Sequence, residues 1–183
     1  MIITGNSIGF SLDLVTRLLD DVSENTRVEA LEFRHVVLED VEHALRHMQA
    51  LTAGTIGWKG IYHAKIRPAP EYSLTHNQWI EAANILEKEL GLDDQPRLLM
   101  LHEQEERAHL HAIWARTDIE TLKLRSDSHS YLAHERAARA LEVAFGHEVV
   151  PSRRTPPPDK WPGPDGQSGP DRQSEPDGRE GEP

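Results

Sequence analysis

Cysteine is missing altogether from this chain of 183 residues. Disulfides and thiolate metal sites are thereby excluded, so any metal must be held by imidazole, carboxylate or water, a pattern that fits a reducing cytoplasm. Long apolar runs are missing too. No stretch approaches the roughly eighteen apolar residues needed to span a bilayer, and the opening "MIITGNSIGFSLDLV" lacks a basic segment followed by a long apolar one. A soluble, cytoplasmic protein without membrane association is expected. Positive charge is also in deficit: the formal net charge is −11. That balance argues against a simple phosphate-neutralising surface, because nucleic-acid binders usually carry a basic face.

Composition changes sharply at Pro151. The segment 151–183 holds nine of the twelve prolines and ends in three imperfect six-residue repeats, "GPDGQS", "GPDRQS" and "EPDGRE". With Trp161 as its one large apolar residue, it cannot bury enough surface to offset the entropy of ordering. A disordered tail over 151–183 and a single ordered domain over 1–150 are expected. The acidity is not confined to the tail, since 15 basic and 24 acidic residues precede it.

Within 1–150 the pattern alternates. "MIIT" reads as a short strand and "GNSIG" as a loop. "FSLDLVTRLLDD" reads as a helix with Leu12, Val15, Leu18 and Leu19 on one face. "RVEALEF" alternates as a strand does. "LEDVEHALRHMQALTAG" is an amphipathic helix with Leu38, Val41, Leu45, Met48 and Leu51 in a stripe and Gly54 at its stop. "KGIYHAKI" reads as a strand. In "LTHNQWIEAANILEKELG", Thr75 stands three residues before Gln78 at capping-box spacing, Trp79, Ala83, Leu86 and Leu90 share a face, and Gly91 ends the helix. "RLLMLH" and "HLHAIWAR" are strands around a polar turn, and a last helix spans roughly Ser130 to Phe145. The order predicts an α+β fold: a single sheet with a central antiparallel hairpin, and helices packed on the sheet.

The hairpin carries a concentration of histidine. Side chains on a strand alternate faces, so His109 and His111 point one way, about 7 Å apart, while Leu110, Ala112 and Trp114 point the other. If His102 lies opposite His109 or His111, parity gathers all three imidazoles on one face within reach of a common ion. Three neutral imidazoles form a facial set with open positions for water or a phosphate oxygen. His43, His47, His76 and His147 have no such arrangement and read as ordinary hydrogen-bonded side chains.

The stretch "HEQEERAHLHAIWARTD" resembles the third motif of relaxases, the mobilisation nucleases of plasmids and integrative elements. "YHAKIRPAPEYSLTHNQWIEAANILEKELGL", "GNSIG" and "SYLAHERAARALEVAFG" are similar to segments of the MobA/VirD-type branch, so the resemblance covers about residues 1–150. It implies a nuclease acting on single-stranded DNA at an origin of transfer, with other mobilisation proteins as possible partners. It also implies that His102, His109 and His111 hold a divalent cation, magnesium or manganese in the first place and zinc as an alternative. The ion polarises the scissile phosphate while a tyrosine attacks phosphorus.

Three departures from that pattern stand out. The first helix and the segment after it contain no tyrosine. Gln104 stands where the family has an acidic residue, and Ala115 where it has asparagine. The candidate attacking groups are therefore Tyr62, Tyr131, a histidine such as His63 or His35, or an activated water. Lys65, Arg67, Arg116 and Lys123, with Lys59 and Arg125, are the candidate phosphate-binding residues. Two other readings stay open: a relaxase-derived module that binds DNA without cutting it, and a small metal-dependent hydrolase of a non-nucleic substrate.

Overall fold

Five strands, β1 (Ile2–Ile8), β2 (Arg27–Arg34), β3 (Ile61–Arg67), β4 (Arg97–Gln104) and β5 (Arg107–Ala115), form one sheet in the order β1-β3-β5-β4-β2. Every neighbouring pair is antiparallel. The computed structural model describes residues 1–19, 27–104 and 107–151. The expected tail beyond Pro151, the last two residues of "FSLDLVTRLLDD" and residues 105–106 of the hairpin turn lie outside the described residues.

Four helices cover the sheet: α1 (Leu12–Leu19), α2 (Val41–Ala50), α3 (His76–Leu90) and α4 (Ser130–Phe145). The local sequence accounts for their ends. Asp40 accepts the His43 backbone N–H at 2.9 Å and starts α2. Thr75 and Gln78 form the reciprocal capping box of α3, and Gly91 closes that helix in the left-handed conformation at φ 65°. Gly146, at φ 67°, closes α4 in the same way.

Strand alternation divides the core into two layers. Tyr62, Ala64, Ile66, Leu99, Leu110, Ala112 and Trp114 pack with Trp79 and Leu86 of α3 and Ala137 and Leu141 of α4. Ile61, Leu98, Met100, Ile113 and Ala115 pack on the other side with Leu14, Val15 and Leu18 of α1 and Val41, Leu45 and Met48 of α2. Burying each large side chain contributes about 1.5–3 kcal/mol. One ionic network lies inside the α3 layer. Glu87 Oε2 accepts from Trp114 Nε1 at 2.7 Å, Arg97 Nη1 at 2.9 Å and Arg34 Nη2 at 2.7 Å. Arg97 also donates to Glu32 and Asn84, so every charge in this network has partners.

The elements follow the expected order, with four differences. "GNSIG" is not a loop, because β1 runs on through Ile8. Gly5 pairs with Ala64, and a Cβ there would come within 2.9 Å of the His63 carbonyl, so this glycine serves close strand approach rather than a turn. In α1 the buried residues are Leu14, Val15 and Leu18, while Leu12 and Leu19 are exposed. Leu38 is exposed and precedes α2, because Asp40 caps that helix after it. A small ribbon of β6 (Thr117–Asp118) and β7 (Lys123–Leu124) adds a second sheet; strands of two residues carry no readable alternation.

Candidate metal centre

His102 is the Cα partner of His109 across the β4–β5 ladder, and His111 is the partner of Met100. This register brings the three rings together on the α1/α2 side of the sheet. Each offers a nitrogen, and the three atoms lie within 4.8 Å of one another. The His109 and His111 Nε2 atoms are 3.1 Å apart. Two nitrogens bound to one ion at about 2.1 Å each sit at a comparable separation.

His102 and His111 are buried and His109 is half-buried, so His109 marks the open side of the cluster. The His102 ring is anchored by α1: its Nε2 donates to the Leu18 carbonyl at 3.0 Å. That carbonyl belongs to the last turn of the helix, where main-chain acceptors have no partner within the helix. In a neutral His102 that bond puts the proton on Nε2 and the lone pair on Nδ1.

The environment keeps the His109 and His111 rings neutral. Burial pushes His109 down to about 4, with His102, Arg67 and Lys65 adding to the shift. His111 is driven far lower, first by burial and then by the imidazoles and Lys65 around it. Unprotonated imidazole is the form that donates to a metal, and no carboxylate is needed to create it.

His63 joins the cluster. On β3 it shares a face with Lys65 and Arg67, and its Nε2 lies 2.8 Å from His111 Nδ1. The two rings stack at 5.0 Å between centroids and 17° between planes. Burial lowers His63 to about 4, and Lys65, Arg17 and His102 contribute.

The tyrosines do not join. Tyr62 is adjacent to His63 on β3 and therefore points to the opposite face. It is 1% exposed among the α3 and α4 residues, and its hydroxyl is 2.8 Å from His134 Nε2. Tyr131 lies on α4, the helix of that same opposite layer. Tyr72 accepts the Glu148 backbone N–H at 2.9 Å, just past the end of α4. His35 follows β2 at the end remote from Val28, the partner of His102, and its Nδ1 donates to the Asp94 carbonyl at 3.2 Å.

The expected phosphate-binding residues separate into two groups. Lys65 pairs with His111 and shares its face with Arg67, so both border the histidines. Arg116 is 6% exposed and committed elsewhere: Nη1 donates to the Lys59 carbonyl at 3.0 Å, and Nη2 to the Arg125 carbonyl and Asp127. It follows β5 at the end remote from His109. Arg125 is held by Asp118 and the Gly91 carbonyl. Lys123 lies on the β6–β7 ribbon, beyond that same end of β5. Arg17 on α1 is an exposed cation beside the cluster that the pattern of the sequence does not single out, because a charged residue on an outer helix face looks like any solvated one.

A family model described as Relaxase: MobA/VirD2-like, nuclease domain matches residues 18–147. The chain belongs to this relaxase family. The match takes in the strands carrying all four histidines of the relaxase cluster, together with α2, α3 and α4. No curated protein matches the chain. Among the described residues of this relaxase-like nuclease domain, no helix is long and apolar enough to cross a membrane.

Proposed function

We propose that this domain binds single-stranded DNA and cuts it at an origin of transfer with the help of a divalent cation held by His102, His109 and His111. The observation that carries this reading is the convergence of three imidazole nitrogens within 4.8 Å in a chain of the relaxase family. The all-imidazole donor set suits a divalent ion of the first transition row, and manganese is the working choice. When bound, such an ion supplies Lewis-acid polarisation of a phosphate oxygen and stabilises the charge that builds up during displacement.

The chain's own groups do the rest. His109, half-buried, borders the approach, and Arg17, Lys65 and Arg67 offer positive charge to the flanking phosphates. Local charge of this kind offsets the overall acidity, because it acts at close range where screening is weakest. The attacking oxygen is water, since Tyr62, Tyr72 and Tyr131 all belong to the opposite layer or its margin. The products are then one phosphate end and one hydroxyl end, with no DNA joined to the protein.

The test is cutting of labelled single-stranded oligonucleotides with and without manganese. Cutting is expected with the ion, and not with chelator or in a His109→Ala/His111→Ala variant. The position of the tyrosines also favours a second reading, a relaxase-derived module that binds single strands without cleaving them. Tight binding with no cutting under any divalent ion would replace the first reading by this one.

A further inference from the structure

His111 has both ring nitrogens engaged. Its Nε2 lies 3.1 Å from His109 Nε2, and its Nδ1 lies 2.8 Å from His63 Nε2. A neutral imidazole has one N–H and one lone pair, so these two interactions are not independent. For Nε2 to offer its lone pair to a cation, the proton of His111 must sit on Nδ1. The atom facing that proton is Nε2 of His63, which must then be an acceptor, with the His63 proton on Nδ1.

We propose that His63 is a positioning residue: it accepts the Nδ1–H of His111 and so fixes the tautomer and ring orientation in which His111 can bind an ion. The inference rests on the reading that the histidine triplet holds a divalent cation. The sheet register brings the two rings together. Lys65 pairs with His111 and His63 with Ile113, so His63 is the diagonal neighbour of His111 on the same face, within reach of a long side chain. The near-parallel stacking of the rings holds both planes in place.

A metal-bound histidine usually gives its second N–H to a carboxylate, a main-chain carbonyl or water. Here, among the described residues, no carboxylate hydrogen-bonds His111, and an imidazole stands where one would be. The substitution has an electrostatic consequence. A neutral acceptor leaves the full charge of a divalent cation for an incoming phosphate, whereas a carboxylate would cancel part of it. In a chain of net charge −11 that difference favours anionic substrate at this one location.

The experiment measures manganese affinity by calorimetry on the full chain and its variants, at one pH. His63→Ala is expected to weaken binding about 10- to 100-fold, while His63→Gln, whose amide oxygen accepts the same N–H, restores affinity to within about threefold of the wild type. A nucleophile would not give this result, since that role does not pass to an amide oxygen, whereas a fourth ligand, whose place an amide oxygen can take, is told apart by a second readout. That readout is the nitrogen NMR spectrum of the zinc-loaded protein. It should show His111 protonated at Nδ1 and His63 protonated at Nδ1, with Nε2 of His63 hydrogen-bonded rather than metal-bound.

Equal loss in the alanine and glutamine variants, unchanged affinity in both, or direct ligation of the metal by His63 would each overturn the proposal. The His109→Ala/His111→Ala variant separates the two readings. If it loses manganese while His63→Ala keeps wild-type affinity, only the role of His63 is refuted. If it binds as the wild type does, the ion lies elsewhere and both fall.

Discussion

Tyr62 and His63 are consecutive on β3 yet serve opposite layers of the molecule: Tyr62 reaches His134 beneath α4, and His63 reaches His111 beneath α1. The five-stranded sheet stands between them. Chemistry at the histidines is therefore closed to the neighbouring phenol, for the same geometric reason that brings the imidazoles together.

The first prediction follows from that separation. Tyr62→Phe and Tyr131→Phe should leave metal-dependent cutting within about twofold of wild type, because Tyr62 and the helix that carries Tyr131 belong to the layer across the sheet from the clustered imidazoles. No DNA adduct surviving denaturant should form. A stable adduct that disappears in either variant would show that the sheet opens during the reaction and that the attack by water is wrong.

Arg67 and Arg116 should behave differently under salt. Replacing Arg67 or Lys65 by alanine should weaken single-strand binding and reduce the slope of log affinity against log salt by about 0.7 for each phosphate no longer neutralised. Arg116→Ala should instead lower the melting temperature, since its guanidinium is held by the Lys59 and Arg125 carbonyls and Asp127. Binding titrations at four salt concentrations, with thermal melts alongside, would check both halves.

Glu87 carries a stability prediction. Removing its carboxylate strips Arg97, 1% exposed, and the Trp114 indole N–H of an acceptor deep in the α3 layer. Glu87→Ala should cost about 3 kcal/mol, the magnitude typical of breaking a buried ion pair from one side. Urea unfolding would measure it, and a loss under about 1 kcal/mol would mean that Glu32 and Asn84 hold Arg97 adequately alone.

Acid should destabilise the metal-free protein through the histidine cluster. Burial holds His63 and His109 at about 4 in the folded state, against about 6.5 for an imidazole in an unfolded chain. Between those values the unfolded chain binds more protons, so stability rises with pH. It is complete above about 6.5 and declines as the pH falls toward 4. The urea midpoint should be lower at pH 5 than at pH 7.5. Saturating manganese should raise it at pH 7.5 and much less at pH 5, where protons compete for the same nitrogens. Equal midpoints at both pH values without metal would show that the rings are more solvated than their burial implies.

What the sequence determined by itself was local. Capping and stop residues such as Thr75, Gln78 and Gly91 define helix ends through bonds made within a few residues, and those ends lie where they were expected. Strand period put His109 and His111 on one face, and hairpin parity added His102, because both depend only on counting along adjacent strands. Other features depended on partners distant in the chain. Gly5 became a strand residue because β3 passes close beside it. Arg116, a plausible phosphate-binding residue by type, was enclosed by main-chain carbonyls around residues 59 and 125. Placing β3 next to β5 brought His63 to His111 across a separation of 48 residues, and α1 came over the sheet so that the Leu18 carbonyl met His102. Strand order and layer order are set by how whole faces bury one another, and no short window of sequence contains that information. The three candidate ligands were therefore legible in the chain, while their anchor, their neighbour and the exclusion of Tyr62 were decided by the tertiary fold.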